Sequence, residues 1–160
     1  MADLENLLHR LIDHHVEFVV VGGFAAVAHG VSLLTQDIDI CCSFAPDNLL
    51  KIGDALKDLK PVHRMTPQRL PLDLTADSCK GLRNLYLDTT WGQLDCISEV
   101  KGIGQYDTVR EQVIELDLDG RRCLILDIPA LIAAKDAMGR PRDKEAVTEL
   151  RAIRERLINE

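Results

Sequence analysis

Aromatic side chains are scarce in this sequence, since Phe, Tyr and Trp together make up only 4% of its 160 residues. Proteins that bind single-stranded nucleic acid stack bases on aromatic rings, so the composition disfavours that class. Positive charge is also in deficit, because the formal net charge is −7. An acidic chain does not hold phosphate backbones by overall attraction, so we expect no general nucleic-acid binding.

Cysteine pairs of the C-x-x-C type and long apolar runs are both missing. The longest stretch without a polar side chain covers residues 18–28, well short of the ~20 residues that a membrane helix needs. No basic segment followed by an apolar one opens the chain, so we expect a cytoplasmic protein without membrane contact. The cysteines are odd in number and lie in or beside apolar runs, which predicts buried thiols of a reducing compartment. They are Cys41, Cys42, Cys79, Cys96 and Cys123.

The length and composition are those of one globular domain, which we expect to cover residues 1–160. Runs of β-branched residues and period-two patterns predict strands, and the spacing i, i+3, i+4 predicts helices. The expected fold is α+β, a mixed twisted sheet flanked by helices. The predicted strands cover residues 18–21, 37–42, 84–89, 92–98, 112–118 and 121–127, and the predicted helices begin near residues 4, 24, 46, 128 and 143.

Residues 60–83 show little periodicity and contain Pro61, Pro67 and Pro71. Connections this long in a compact domain are usually functional, mobile or built around a short element. The sequence leaves these three alternatives open.

Two carboxylates, Asp37 and Asp39, alternate with Ile38 and Ile40 in a predicted strand. Alternate residues of a strand project to the same side, so the two aspartates should lie a few ångström apart and repel each other. A divalent cation such as Mg²⁺ or Mn²⁺ would relieve that repulsion. The alternative is an edge strand with a solvated acidic face.

Gly22 and Gly23 stand between a buried strand and a helix, which leaves backbone N–H groups open to an anion such as phosphate. The alternative is a tight turn that needs glycine only for its backbone conformation. Asp95 is an acidic residue between apolar ones in a later strand, and alone it could equally be a solvent-facing position.

Taken together, these segments resemble the nucleotidyltransferase fold of the DNA polymerase β superfamily. Its signature, an apolar residue, two small residues and then Asp-h-Asp-h with h apolar, is matched by residues 21–23 and, after thirteen residues, 37–40. The wider run from Val21 to Gly30, with Thr35 to Asp39, is similar to small bacterial nucleotidyltransferase-like proteins related to the AbiEii toxin group. The pattern around Leu131–Lys135 and Arg140–Asp143 is also similar, so the resemblance spans roughly residues 17–150.

The resemblance implies metal-dependent transfer of an NMP from an NTP to a hydroxyl of an RNA, such as tRNA, a protein or a small molecule. Asp37, Asp39 and Asp95 would be the metal-binding and catalytic residues. Asp95 would also help to deprotonate the acceptor. The implied nucleotide contacts are Gly22, Gly23, Thr35 and Lys135.

The chain departs from the family pattern at two places. Gly23 stands where many members have Ser, and Leu33 and Leu34 stand where relatives often carry Arg. Both departures remove a polar contact to phosphate, so a lower nucleotide affinity is expected.

The basic residues Arg140, Arg142 and Lys144 lie near the start of the last helix and form either a solvated surface or a phosphate-receiving patch. Lys135 could face the site or the solvent. Asp143 is predicted mainly as the N-cap of that helix.

Two other functions remain open from the sequence. One is a nucleotide-binding domain without turnover, acting as a sensor or as a component of a toxin–antitoxin pair. The other is a phosphohydrolase that uses the same carboxylates.

Overall fold

The computed structural model describes residues 3–160, and the elements over this range are numbered in chain order. The helices are α1 (Leu4–Asp13), α2 (Gly22–Ala28), α3 (Pro46–Leu56), α4 (Tyr106–Val109), α5 (Ile128–Met138) and α6 (Pro141–Asn159), with a 3₁₀ turn at Lys57–Leu59. The strands are β1 (Phe18–Val21), β2 (Asp37–Cys42), β3 (Val62–His63), β4 (Asn84–Thr89), β5 (Gly92–Ile97), β6 (Glu99–Val100), β7 (Gly104–Gln105), β8 (Val113–Leu118) and β9 (Arg121–Leu126).

Over residues 3–160 the strands form one mixed sheet with the order β3-β4-β5-β2-β1-β9-β8 and a small β6-β7 ribbon. β2 pairs with β5, and β1 with β9, in parallel; the other neighbours in the sheet are antiparallel. Helices lie against this sheet, so the expected α+β architecture is confirmed.

The centre of the sheet is aliphatic. All four residues of β1 are buried, as its continuous apolar run predicts for a strand covered on both faces. Ile38 and Ile40 of β2 are fully buried, and α1 contributes Leu7, Leu8 and Leu11. Burial of this much aliphatic surface is the main favourable term in the folding free energy. All five cysteines are buried free thiols, as predicted.

Helix α5 begins and ends at signals that are visible in the sequence. The Asp127 carboxylate accepts a hydrogen bond from the Ala130 N–H at 2.9 Å, and Gly139 ends the helix in the left-handed conformation with φ 67°. Helix α6 starts two residues later, at Pro141. The junction between the two helices is therefore short and fixed at both sides.

The segment 60–83 contains a short strand, which is one of the three alternatives left open. β3 adds two residues to the edge of the sheet beside β4. The His63 N–H donates to the Leu70 carbonyl at 2.9 Å, and the Leu72 N–H donates to Pro61. The loop between them is thereby held against the sheet edge.

Over residues 3–160, none of the helices combines the length and the apolar character that crossing a bilayer requires.

Candidate active site

Asp37 and Asp39 project from one face of β2 because they alternate with the buried Ile38 and Ile40. The parallel neighbour β5 places Asp95 directly beside Asp39, its register partner. Carboxylate oxygens of all three aspartates lie within 4.8 Å of one another. The structure thus brings together the three acidic residues that the sequence singled out.

Burial and mutual repulsion disfavour the charged forms of these acids. Burial raises the pKa of Asp39 to about 6, and the nearby Asp37 and Asp95 add to the shift. Burial also raises the pKa of Asp95, which is only 7% exposed, although an arginine beside it acts in the opposite direction. Three clustered carboxylates of this kind fit a hard divalent cation such as Mg²⁺ or Mn²⁺, which would stabilise the ionised forms.

Gly22 follows β1 next to Asp39 and needs to be glycine for two reasons. Its φ is +68°, in the left-handed region that side chains disfavour. A Cβ at this position would also overlap Asp39 Oδ2 and lie 3.1 Å from Asp39 Cβ and Cγ. Helix α2 begins at Gly22, two residues earlier than predicted, so the whole glycine pair lies at the cleft.

Gly23 has more room than Gly22. A Cβ there would meet Leu33 Cδ2 at 3.3 Å and Thr35 Oγ1 at 3.6 Å, and both of these belong to side chains that can adjust. The two glycines therefore have different roles in the turn.

The Thr35 hydroxyl is directed at Asp37. It donates to the Asp37 carbonyl oxygen at 3.0 Å and lies 3.4 Å from Asp37 Oδ1. Thr35 thus holds the start of β2 while it also lines the cleft. Leu33 and Leu34 lie beside it at the mouth, where Leu34 is 86% exposed.

Cationic side chains from the α5–α6 junction also line the cleft, and we call this group the cationic wall. Lys135 is largely buried, with a side chain 12% exposed, and its Nζ lies 3.7 Å from Asp143 Oδ1. Arg140 donates to both oxygens of Asp143, through Nε at 2.6 Å and a terminal nitrogen at 3.2 Å. Arg142 also lines the cleft. Within residues 3–160 its guanidinium has no carboxylate within 4.0 Å.

The prediction that Asp143 is the N-cap of α6 is wrong. Pro141 occupies the first turn and Arg140 is the N-cap residue, so Asp143 lies inside the helix. Asp143 is 2% exposed, its carboxylate binds Arg140 and Lys135, and the hydrogen bond from Arg140 lowers the pKa of Asp143. Asp143 therefore orders the cationic wall. Lys144, the third member of the predicted basic patch, is exposed and does not line the cleft.

Arg64 is a site residue that the sequence did not reveal. It follows β3, and its guanidinium binds both oxygens of Asp95, with Nε 3.2 Å from Oδ1. Its neighbour along the segment, Arg69, pairs instead with Asp88, which lies outside the group of three carboxylates. The only feature of the sequence that pointed to Arg64 is its place in the long connection over residues 60–83.

These side chains enclose a cleft of about 420 Å³. The residues around it are Gly22, Gly23, Leu33, Leu34, Thr35, Asp37, Asp39, Arg64, Asp95, Lys135, Arg140, Arg142, Asp143 and Ala146. The lining thus combines a cluster of carboxylates with a group of cationic side chains.

The sequence matches no protein-family model and no curated protein. Its structure is similar to the solution structure of the antibiotic-resistance factor ANT(2'')-Ia, an aminoglycoside nucleotidyltransferase, with a TM-score of 0.57 and 14% sequence identity. The similarity covers 96% of this chain and 84% of that chain. At this identity the likeness shows the fold alone, so the chain has a nucleotidyltransferase-like fold.

Proposed function

We propose that this protein is a metal-dependent nucleotidyltransferase that transfers an NMP from an NTP to an acceptor hydroxyl. The observation that carries this proposal is the cleft itself. Three carboxylates lie within 4.8 Å of one another, and Lys135, Arg140 and Arg142 line the same space. A nucleoside triphosphate with divalent cations has the matching distribution of charge.

Asp37, Asp39 and Asp95 would hold Mg²⁺ or Mn²⁺. When bound there, such ions neutralise the triphosphate and stabilise the attacking and leaving oxygens of an in-line displacement. The donor set supports this assignment because all three ligands are carboxylates and no softer ligand lines the cleft within residues 3–160.

The triphosphate would lie against the cationic wall and the glycine turn. Arg142 and Lys135 would contact phosphate oxygens, and the N–H groups of Gly22 and Gly23 and the Thr35 hydroxyl would complete the contacts. Asp143 would keep Lys135 in place through the contact already described. These groups would hold the triphosphate in position and offset its negative charge.

Asp95 would accept the proton of the acceptor hydroxyl. The hydroxyl oxygen then forms a bond to the α-phosphorus while the bond to the pyrophosphate oxygen breaks, and pyrophosphate carries the negative charge away. Burial favours this role because it raises the pKa of Asp95 and so makes its carboxylate a stronger base.

The acceptor is an RNA end such as tRNA, a protein, or a small molecule with hydroxyl groups. The net charge of −7 favours a small or locally held acceptor over a long nucleic acid. The similarity to ANT(2'')-Ia makes aminoglycosides a reasonable first class of small acceptor to test. The five buried thiols fit a reducing compartment, so we place this activity in the cytoplasm.

The test is transfer of label from each of four α-³²P NTPs, with Mg²⁺, to tRNA, to cell protein and to a panel of aminoglycosides. We expect incorporation by the wild type into one acceptor class and none by the Asp37→Asn or Asp39→Asn variants. Conversion of the labelled NTP to labelled NDP or NMP without incorporation would instead identify a phosphohydrolase. Failure to bind any NTP with Mg²⁺ would contradict the proposal.

A second candidate is a nucleotide-binding domain without turnover, serving as a sensor or as part of a toxin–antitoxin pair of the AbiEii type. The contact between Arg64 and Asp95 favours it, since both oxygens of the third carboxylate are already engaged. Isothermal titration with Mg²⁺ and each NTP separates the two functions. Binding without transfer to any acceptor supports the sensor.

A further inference from the structure

Arg64 is held in place at three points. Its guanidinium binds both oxygens of Asp95, and its backbone N–H donates to the Tyr86 carbonyl at 3.0 Å. The guanidinium also lies over the Tyr86 ring, with Cζ 5.5 Å from the ring centre. Tyr86 is the register partner of Asp95 on β4, so both contacts lie on one face of the sheet.

A guanidinium at this position competes with a divalent cation. Asp95 is one of the three clustered carboxylates, and both of its oxygens are used by Arg64. The aspartate side chain is 10% exposed and that of Arg64 22%, so solvent screens their charges only in part. A divalent cation that approaches Asp95 is repelled at short range by the positive charge of Arg64, and this repulsion weakens its binding.

We propose, on the basis of the function proposed above, that Arg64 serves as a built-in cation that limits the nucleotide-free protein to one divalent ion. That ion binds at Asp37 and Asp39, while Arg64 neutralises Asp95. Nucleotide phosphates draw Arg64 away from Asp95 and free the third carboxylate.

The cleft contains the physical reason for this exchange. Arg64 lines the same space as Lys135 and Arg142, where a triphosphate would lie. Phosphate is the other anion that matches the two-pronged geometry of a guanidinium. The backbone of Arg64 is fixed by the bond to Tyr86, so the exchange needs only a rotation of its side chain. Its additional contact, to Met65 Sδ at 3.2 Å, is weak.

Arg69 provides a matched control from the same segment. It pairs with Asp88 on β4, the strand beside that of Asp95, but that pair lies outside the three clustered aspartates. Removing Arg69 deletes an equal charge without freeing a metal ligand. The Arg64→Lys variant keeps the charge and loses the two-pronged contact.

The experiment counts Mn²⁺ ions bound per chain without nucleotide, by isothermal titration and by the free-Mn²⁺ electron paramagnetic resonance signal. We expect one ion for the wild type and for Arg69→Gln. For Arg64→Gln we expect a second ion, or at least about tenfold tighter binding. Arg64→Lys should lie between the wild type and Arg64→Gln.

Two outcomes overturn the proposal and are distinguishable. Equal stoichiometry and affinity in the wild type and Arg64→Gln would show that Arg64 does not control the metal site, with the proposed function intact. Absence of Mn²⁺ binding by every variant without nucleotide would also overturn the proposal, and only a failure to bind Mn²⁺ together with NTP would remove the proposed function as well.

If Arg64→Gln does not fold, the proposal can be tested on the wild-type protein by NMR spectroscopy. One arginine Nε–H signal of the wild-type ¹H–¹⁵N spectrum will be absent from the spectrum of Arg64→Lys, and that signal belongs to Arg64. We expect that signal to shift when Mg²⁺ and a non-hydrolysable ATP analogue are added together. An unchanged signal under saturating ligand would overturn the proposal.

Discussion

Asp39 and Asp95 are register partners on neighbouring parallel strands, so their carboxylates enter the cleft side by side. The β2 pairing with β1 places Val21, the residue before the glycine turn, opposite Asp39 on its other side. Asp39 is thus the central residue of the site. Its environment gives the first prediction.

Asp39→Asn should stabilise the metal-free protein at neutral pH. Because the folded pKa is raised to about 6 from 3.8, ionisation of Asp39 opposes folding increasingly as the pH rises from about 4, and the effect is complete above about pH 6; at lower pH the carboxyl is protonated in both states and has no such effect. The stability advantage of the variant should therefore grow between about pH 4 and pH 6 and stay constant at higher pH. A pKa unit corresponds to about 1.4 kcal/mol, and residual solvent screening reduces the expected gain to about 1–2 kcal/mol.

Urea denaturation across this pH range, without divalent ions, measures the effect. Asp54→Asn, at an exposed position on α3, is the control and should change the free energy of unfolding by less than about 0.5 kcal/mol. Mg²⁺ with nucleotide should stabilise the wild type and leave Asp39→Asn unchanged. A wild type that is no less stable than the variant and gains nothing from these ligands would contradict the metal site.

Gly22→Ala should weaken metal binding more than Gly23→Ala does. The added methyl group at Gly22 pushes on the Asp39 carboxylate and is strained at φ +68°, whereas at Gly23 the nearest atom is the end of the flexible Leu33 side chain. Gly22→Val should disrupt the turn altogether, and Gly23→Ser should keep or raise NTP affinity. Titration with Mn²⁺ and NTP compares the four variants with the wild type. Binding by Gly22→Val that equals that of the wild type would remove the glycine turn from the site.

Asp95→Ala should separate binding from chemistry. Nucleotide would still bind through the ion at Asp37 and Asp39, while loss of the proton acceptor costs at least ~10²-fold in transfer rate. The comparison requires an identified acceptor and equal circular dichroism spectra. Asp88→Ala is the matched control, because Asp88 pairs with Arg69 outside the cluster. If Asp88→Ala loses transfer and Asp95→Ala retains it, the third carboxylate has been misassigned.

Arg142→Gln should weaken triphosphate binding about tenfold, the usual order for one charged contact. Lys144→Gln removes the same charge two residues farther along the helix. Lys144 does not line the cleft, so this change should leave the affinity for NTP unchanged. Calorimetric titration with NTP and Mg²⁺ checks both. Equal losses in the two variants would indicate a general effect of net charge and not a phosphate contact.

The strands and the acidic pair follow from local pattern. Period-two alternation over residues 37–42 predicts both the strand and the shared face of Asp37 and Asp39, and β2 has the bounds expected. The hairpin around Asp119-Gly120 is likewise predicted by its turn residues, with strands at Val113–Leu118 and Arg121–Leu126. The residues within each of these elements are sufficient to predict its structure.

Arg64 could not be placed in this way because its position depends on distant partners. β3 has only two residues and exists because β4 offers it an edge, so no periodicity marks it. The position of Asp143 inside the helix could have been predicted from the sequence. Proline favours the first turn of a helix, so Pro141 moves the N-cap back to Arg140. Its contact with Lys135 depends on the packing of α5 against α6, which the sequence does not specify.

The parallel pairing of β2 with β5 also governs when the site forms during folding. The pairing joins residues 37–41 to residues 93–97, and we expect so non-local a contact to form late because a long loop must first be closed. A chain in which only the β4–β5 and β8–β9 hairpins have formed has no carboxylate cluster. If the folding transition state lacks this pairing, as its sequence separation leads us to expect, divalent ions should slow unfolding more than they speed folding.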